Sequence, residues 1–184
     1  MQYDIIFSGF GGQGALFAGQ LLAYAAMDAG RFVTWIPSYG PEMRGGTAHC
    51  TVIVSDEEIG SPLVRNPSTV IALNNPSAEK YEPLMSANGY LFYNSSLVSH
   101  PFTRRNIYAI PIPGSEAAAE LGHAKLLNMI MLGAMLSRVP VLPVEALEHA
   151  LDNHIPARRR DLLEANKLAL QKGIELAQAV LIPA

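Results

Sequence analysis

Cysteine is almost missing from this chain: Cys50 is the one thiol in 184 residues. That excludes an intrachain disulfide framework, and a reducing cytoplasm is the simplest compartment. With no Cys-x-x-Cys pair, the sequence offers no ligand set for an iron–sulfur cluster. Charge is scarce as well, at 16% Asp, Glu, Lys and Arg, where about 25% is usual. Such a shortfall points to surface that another subunit covers. The net charge of −3 and isoelectric point near 5.9 argue against a nucleic-acid surface, which needs a basic face. No apolar run approaches the roughly 18 residues of a membrane span. No secretory leader is recognisable either, because Asp4 comes early and no charged stretch precedes Ile5-Ile6-Phe7.

What is present reads as one domain over residues 1–184, with 49% hydrophobic residues and no repeat, linker or low-complexity tract. Tyr3 to Ser8 is a short buried strand running into glycine, and Ala15 to Ala29 is a helix stopped by Gly30. Phe32 to Ile36 follows as a second strand. This is a βαβ unit, so strands one and two are expected to be parallel, with a right-handed crossover. Thr47 to Val54 alternates and turns at Asp56-Glu57-Glu58 into Ile59-Gly60-Ser61-Pro62, an antiparallel excursion. Thr69 to Leu73, Tyr90 to Tyr93 and Asn106 to Ile112 are further strands. Asn75 is expected to cap a helix that reaches about Met85, with Pro76 at its first position. The second half is helical. Leu126 to Leu136 holds a single polar side chain, Asn128, and so reads as a helix shared between core and intersubunit contact. The last helix, opened by Pro156, carries Leu163, Asn166, Leu170, Ile174, Ala177 and Leu181 in one stripe. The expected fold is α/β: a three-layer αβα sandwich with a Rossmann-like start, a mixed, mostly parallel sheet and a helical C-terminal part.

Two loops stand out chemically. Gly9, Gly11 and Gly14 form a G-x-G-x-x-G run between strand and helix, with Gly12 and Gln13 inside it. Small residues there let backbone N–H groups and a helix N-terminus approach an anion. A dinucleotide site also needs an acid near the end of strand two, and Thr34 to Pro37 supplies none. The loop is left as a phosphate or subunit contact. The second loop, Tyr39-Gly40-Pro41-Glu42-Met43-Arg44-Gly45-Gly46, cannot continue a helix or strand. It delivers Glu42 and Arg44 between glycines, either to something outside the chain or as a surface turn with a weak ion pair. The two loops are expected at one edge of the sheet, since both follow parallel strands.

Other chemistry is poorly supported. The five histidines are scattered, and His149 and His154 are five apart, which misses the helical ligand spacing. No nucleophile–base pair stands out. Arg158, Arg159 and Arg160 read as a solvated face rather than as a contact for an acidic partner.

Taken together, Gly9 to Gly14 after the first strand, Tyr39 to Gly46 before the third and Ile59 to Pro62 after it resemble the gamma subunit of 2-oxoacid:ferredoxin oxidoreductases, of pyruvate, 2-oxoglutarate and ketoisovalerate type. Asn166-Lys167-Leu168-Ala169 with Gly173 looks like that family's closing helix. The resemblance implies a multi-subunit enzyme that decarboxylates a 2-oxoacid onto coenzyme A and passes electrons to ferredoxin. It implies partner alpha, beta and ferredoxin-like delta subunits that hold the thiamine diphosphate and iron–sulfur clusters. The gamma chain would be inactive alone, without catalytic residues or metal, and would lie on the coenzyme A side. Gly9, Gly11, Gly12, Gln13, Gly14, Tyr39, Glu42, Arg44, Gly45 and Gly46 are then the candidate contacts. Isolated, the chain is expected to form a homodimer. The alternatives are a free-standing nucleotide-binding Rossmann-like protein and a pure interaction module.

Overall fold

The computed structural model describes residues 1–39, 47–155 and 157–181, and their side chains except those of residues 157–159. The strands are β1 (Gln2–Phe10), β2 (Phe32–Tyr39), β3 (Thr47–Ser55), β4 (Thr69–Ala72), β5 (Tyr90–Asn94) and β6 (Tyr108–Ile112). They form one sheet in the order β2-β3-β1-β4-β5-β6. β3 runs antiparallel to both neighbours, and every other pair is parallel. The sheet is mixed and mostly parallel, as expected.

The expected start needs one correction. β1 and β2 run in the same direction but are not neighbours, because β3 is inserted between them. The reason is chain length. Only residues 40–46 separate β2 from β3, too few for a crossover, so the chain must return antiparallel beside β2. Alternation in β3 then buries Cys50, Val52 and Val54 against one side of the sheet.

Six α-helices are described: α1 (Ala15–Asp28), α2 (Asn75–Tyr81), α3 (Gly114–Glu120), α4 (Leu127–Leu136), α5 (Val144–His154) and α6 (Leu163–Ala179). All but α2 pack on one face, over Ile5, Phe7, Ile71, Phe92 and Ile110. On the other face α2 contributes Ala78 and Tyr81 to a smaller cluster with Ile6, Val70 and Leu91. These are the three layers.

Helix α4 is interior along its whole length, with all ten residues buried. The expectation that it shares itself with a second subunit is therefore wrong. An apolar surface all round is here satisfied by the sheet and by neighbouring helices. Its main partner is α6, and two glycines set the crossing. A Cβ on Gly133 would overlap the carbonyl oxygen of Leu170, and one on Gly173 would overlap that of Ile130. The two backbones touch, so any side chain at either position would force the helices apart.

Two boundaries also differ from expectation. The cap of α2 is Asn74, not Asn75: Asn74 Oδ1 accepts the Ser77 N–H at 3.0 Å. The helix ends at Tyr81, and Glu82–Leu84 continue as a 3-10 turn. Likewise α6 begins at Leu163, preceded by a 3-10 turn over Ala157–Leu162, while Pro156 lies outside the described residues. The stripe of α6 is Asn166, Ala169, Leu170, Gly173 and Ala177; Leu181 is 93% exposed. The small residues that meet α4 displace the larger ones from the centre of the contact. Among the described residues, no helix is long and apolar enough to cross a membrane.

Candidate functional site

β1 and β2 both run opposite to β3, so their carboxyl ends lie at the same edge of the sheet. Tyr39 pairs with Ala48, and Ala48 pairs with Gly9. The two ends are thus two strand spacings apart, about 10 Å. The glycine loop and the chain leaving Tyr39 start from one place, although the strands are not adjacent. Glu42, Arg44, Gly45 and Gly46 lie outside the described residues. Tyr39 itself is 72% exposed.

This edge also contains the point where the sheet changes winding. The helix after β1 packs on one face, whereas the helix after β4 packs on the other. In open α/β sheets the crevice between two such strands is where ligands bind. Here a side chain bridges it. Gln13 Oε1 accepts the Phe10 N–H at 2.7 Å and the Asn74 amide at 3.2 Å, while its Nε2 donates to the Leu73 carbonyl at 3.3 Å. The adjoining backbone is tied too, Leu73 N donating to Ser8 O at 2.9 Å. Gly9 is buried beneath this bridge, and a Cβ there would stand 2.8 Å from Gln13 Oε1.

Gly12 and Gly14 have φ of +96° and +81°, a backbone shape that side chains strain to adopt. Gly14 precedes α1 in the left-handed conformation, with no side-chain cap and no acid in the first turn. Its carbonyl accepts the Asn128 amide at 3.2 Å. The loop is therefore fastened by Gln13 and Asn74 at one end and Asn128 at the other, with exposed Gly11 and Gly12 between. Rigid placement of bare backbone beside an uncapped helix N-terminus suits an anion.

Beneath the loop lies a cavity of about 180 Å³, lined by Gly12, Gly14, Phe17, Lys125, Asn128 and Asn166 among others. On the α2 side, the row Ser38, His49 and Ser8 crosses β2, β3 and β1. Ser8 Oγ lies 2.9 Å from Ser77 Oγ. The His49 ring meets Tyr81 edge-on at 6.1 Å. Burial, and then the nearby Lys80 ammonium, hold the His49 pKa below its usual value. Burial pushes the Tyr81 hydroxyl up to about 12. Both groups are neutral at pH 7.

Gly9, Gly11, Gly12, Gly14 and Tyr39 are thus gathered at one edge, while the Gln13 side chain turns inward as a fastener. Sequence reasoning missed Asn74 and Asn128. Asn128 had a signal, as the single polar residue in an apolar stretch; Asn74 was hidden by the adjacent Asn75-Pro76. Three of the remaining histidines have local partners: the His100 ring lies 2.6 Å from Glu82 Oε2, and His123 Nδ1 accepts the Lys125 N–H at 3.4 Å. His154 Nε2 lies 2.9 Å from Asp28, and its ring stacks on Tyr24 at 4.3 Å. Among the described residues, no three His, Cys, Asp or Glu side chains group to hold a metal.

A mixed sheet with an inserted third strand, one heavily covered face and a fastened glycine loop at the winding change define an α/β domain of Rossmann-like start. Residues 4–176 match the pyruvate ferredoxin/flavodoxin oxidoreductase family, and the chain belongs to it. The ketoisovalerate oxidoreductase subunit VorA of Methanothermobacter thermautotrophicus is 36% identical over 172 residues, which are 93% of this chain and 35% of that one. The chain therefore spans about a third of that relative's length. The keto/oxoacid ferredoxin oxidoreductase gamma subunit of Geobacter sulfurreducens is 32% identical, with a TM-score of 0.83 over 97% of this chain and 99% of that one. The 2-oxoglutarate:ferredoxin oxidoreductase of Magnetococcus marinus, solved with 2-oxoglutarate, coenzyme A and succinyl-CoA, superimposes over 99% of this chain and 32% of its own, with a TM-score of 0.88. At 24% identity that last likeness concerns the fold.

Proposed function

We propose that the chain, one domain over residues 1–184, is the gamma subunit of a cytoplasmic 2-oxoacid:ferredoxin oxidoreductase. The assembled enzyme takes a 2-oxoacid and coenzyme A to an acyl-CoA and carbon dioxide, and two electrons leave to ferredoxin. The observation that carries this reading is the end-to-end match to a gamma subunit of like length. The VorA relative supports it from another direction, since there the same unit is part of a longer chain. A unit found both free and fused needs a lasting contact with the remainder. In this reading the alpha, beta and delta partners hold the thiamine diphosphate and the clusters, and this chain gives a wall of the coenzyme A site.

The chemistry of that wall is positioning. Coenzyme A carries phosphates, which are met by backbone N–H groups, a helix N-terminus and a guanidinium. Gly11, Gly12 and Gly14 supply the first two. Arg44, in the loop that leaves the same edge, supplies the third. A free-standing dinucleotide protein is disfavoured by the acid-free end of β2 and by the carboxamide bridge of Gln13.

The test is Arg44→Ala in the reconstituted complex. Contact with coenzyme A raises its KM about tenfold, or about 1.4 kcal/mol, with assembly unchanged. Contact with a partner subunit alone weakens copurification and leaves that KM untouched. Normal assembly together with normal kinetics would refute both.

A further inference from the structure

The sheet ends differently at its two edges. β6 is five residues long, is interrupted by Pro111 and has α6 packed against it. β2 is eight residues long and closes the other side, with no strand beyond it among the described residues. Natural sheets blunt an open edge with charge, proline or a covering element. β2 carries no charged residue, and its proline comes late, at Pro37. Alternation divides its side chains between the faces. Val33 and Trp35 pack against the helical cluster, so Phe32, Thr34 and Ile36 lie on the other face. There α2 packs over β1 and β4, and Phe32 and Ile36 are left 46% and 39% exposed. Between them the Thr34 hydroxyl is buried, yet it has no hydrogen-bond partner among the described residues.

A second copy of the same strand answers each of these features. An edge strand holds proline's donorless nitrogen on its open side, so the outward N–H groups of β2 are those of Val33 and Trp35. When two copies run antiparallel about a two-fold axis at Thr34, Val33 of one exchanges both backbone hydrogen bonds with Trp35 of the other. The even positions then form the closer pairs: Phe32 against Ile36 on either side of the axis, and Thr34 against Thr34 on it. The outer pairs bury exposed apolar surface. The opposed threonines hydrogen-bond once χ1 turns the hydroxyls toward each other. Pro37 falls opposite Arg31, whose N–H is already given to Ala26 O at 2.9 Å, so pairing stops there with no donor left over. The Arg31 guanidinium is paired with Asp56, and no unpaired like charges face each other across the axis.

We propose that this edge joins two copies of the chain as an isologous dimer, β2 of each continuing the sheet of the other. The proposal is independent of the coenzyme A reading, since it uses neither of the carboxyl-edge loops.

The experiment combines light scattering of the full chain with cysteine cross-linking under mild oxidation. A strand pair is a small interface and makes a weak dimer, so the mass should climb with concentration toward twice the 19.8 kDa of one chain by about 100 μM. Opposed Cβ atoms of a close pair stand about 4.5 Å apart, near enough for a disulfide. Thr34→Cys should therefore cross-link with itself. Phe32→Cys and Ile36→Cys should each stay uncross-linked alone and cross-link when mixed. These last two alter exposed side chains, so they read the register even if Thr34→Cys folds poorly. The native thiol, Cys50, is fully buried and stays silent. A monomer at about 100 μM would overturn the proposal. A dimer in which neither Thr34→Cys nor the mixture cross-links would place the contact elsewhere and overturn it too. Cross-linking by Phe32→Cys alone would overturn the register. A monomer whose Val33 and Trp35 amides gain exchange protection only when other subunits are added would give this edge to a different strand, and the second copy would be wrong.

Discussion

The two faces of the sheet are held by different means. On the helical face, α1 and α3 to α6 bury a continuous apolar cluster, and α4 meets α6 backbone to backbone at Gly133 and Gly173. On the α2 face the apolar cluster is small, and polar fasteners do most of the tying. Glu82, 4% exposed, accepts the N–H groups of Thr103 at 2.6 Å and Arg104 at 2.8 Å, and lies 2.6 Å from the His100 ring. Asn75 Oδ1 accepts the N–H groups of Ser99 and His100 at 2.8 and 3.0 Å. The segment between β5 and β6 has no regular ladder to satisfy its backbone, so side chains must satisfy it. One face is specified by shape and the other by hydrogen-bond partners.

The largest effect separating the two lies at the helix crossing. Gly173→Ala places a Cβ on the Ile130 carbonyl and should cost about 3 kcal/mol or more in denaturant-melting stability. A loss under about 1 kcal/mol would mean that the helices spread easily, and the contrast between the faces would weaken.

Glu82→Gln probes the other face. It keeps the size, but an amide cannot accept from every donor at once, so about 2 kcal/mol should be lost at pH 7. Burial alone raises the Glu82 pKa, yet the hydrogen bonds from Arg104, His100 and Thr103 outweigh it, and the net value is lowered. Its stabilisation is therefore complete above the ordinary glutamate range and lost as pH falls through the lowered folded value. The wild-type and Glu82→Gln stability curves should converge on the acid side. Parallel curves down to pH 3 would contradict this account of the carboxylate.

A smaller effect belongs to the edge between the faces. Gln13→Ala should cost about 1 kcal/mol and speed hydrogen exchange at Phe10 N, whose acceptor is removed. Unchanged exchange would show that the loop holds itself. The smallest signal is chemical silence. Cys50 is fully buried, and burial pushes its thiol up to about 12, so alkylation at pH 8 should wait for global unfolding.

How much of this was legible follows the same division. Periodicity and glycine stops gave the helices and strands closely, because they report on local backbone shape. The position of β3 was not legible, since a short return fixes direction but not which strand lies beyond it. The interior fate of α4 was hidden because core and interface residues are alike in composition; Gly133 and Gly173 were the signal that it is crossed at close range. At the edge, the glycines were visible by their pattern. The fasteners Asn74 and Asn128 act across more than sixty and one hundred residues of chain, a reach that no local spacing reveals.

The central claim is that this chain is a non-catalytic subunit whose carboxyl-edge loops serve coenzyme A chemistry carried out by its partners. It is tested most directly by reconstitution with and without the chain, following viologen reduction that depends on both a 2-oxoacid and coenzyme A. The account predicts no turnover by the purified chain with any 2-oxoacid, and full activity only when the chain joins its partners. Turnover by this chain alone, or an undiminished rate from the partners without it, would contradict the account.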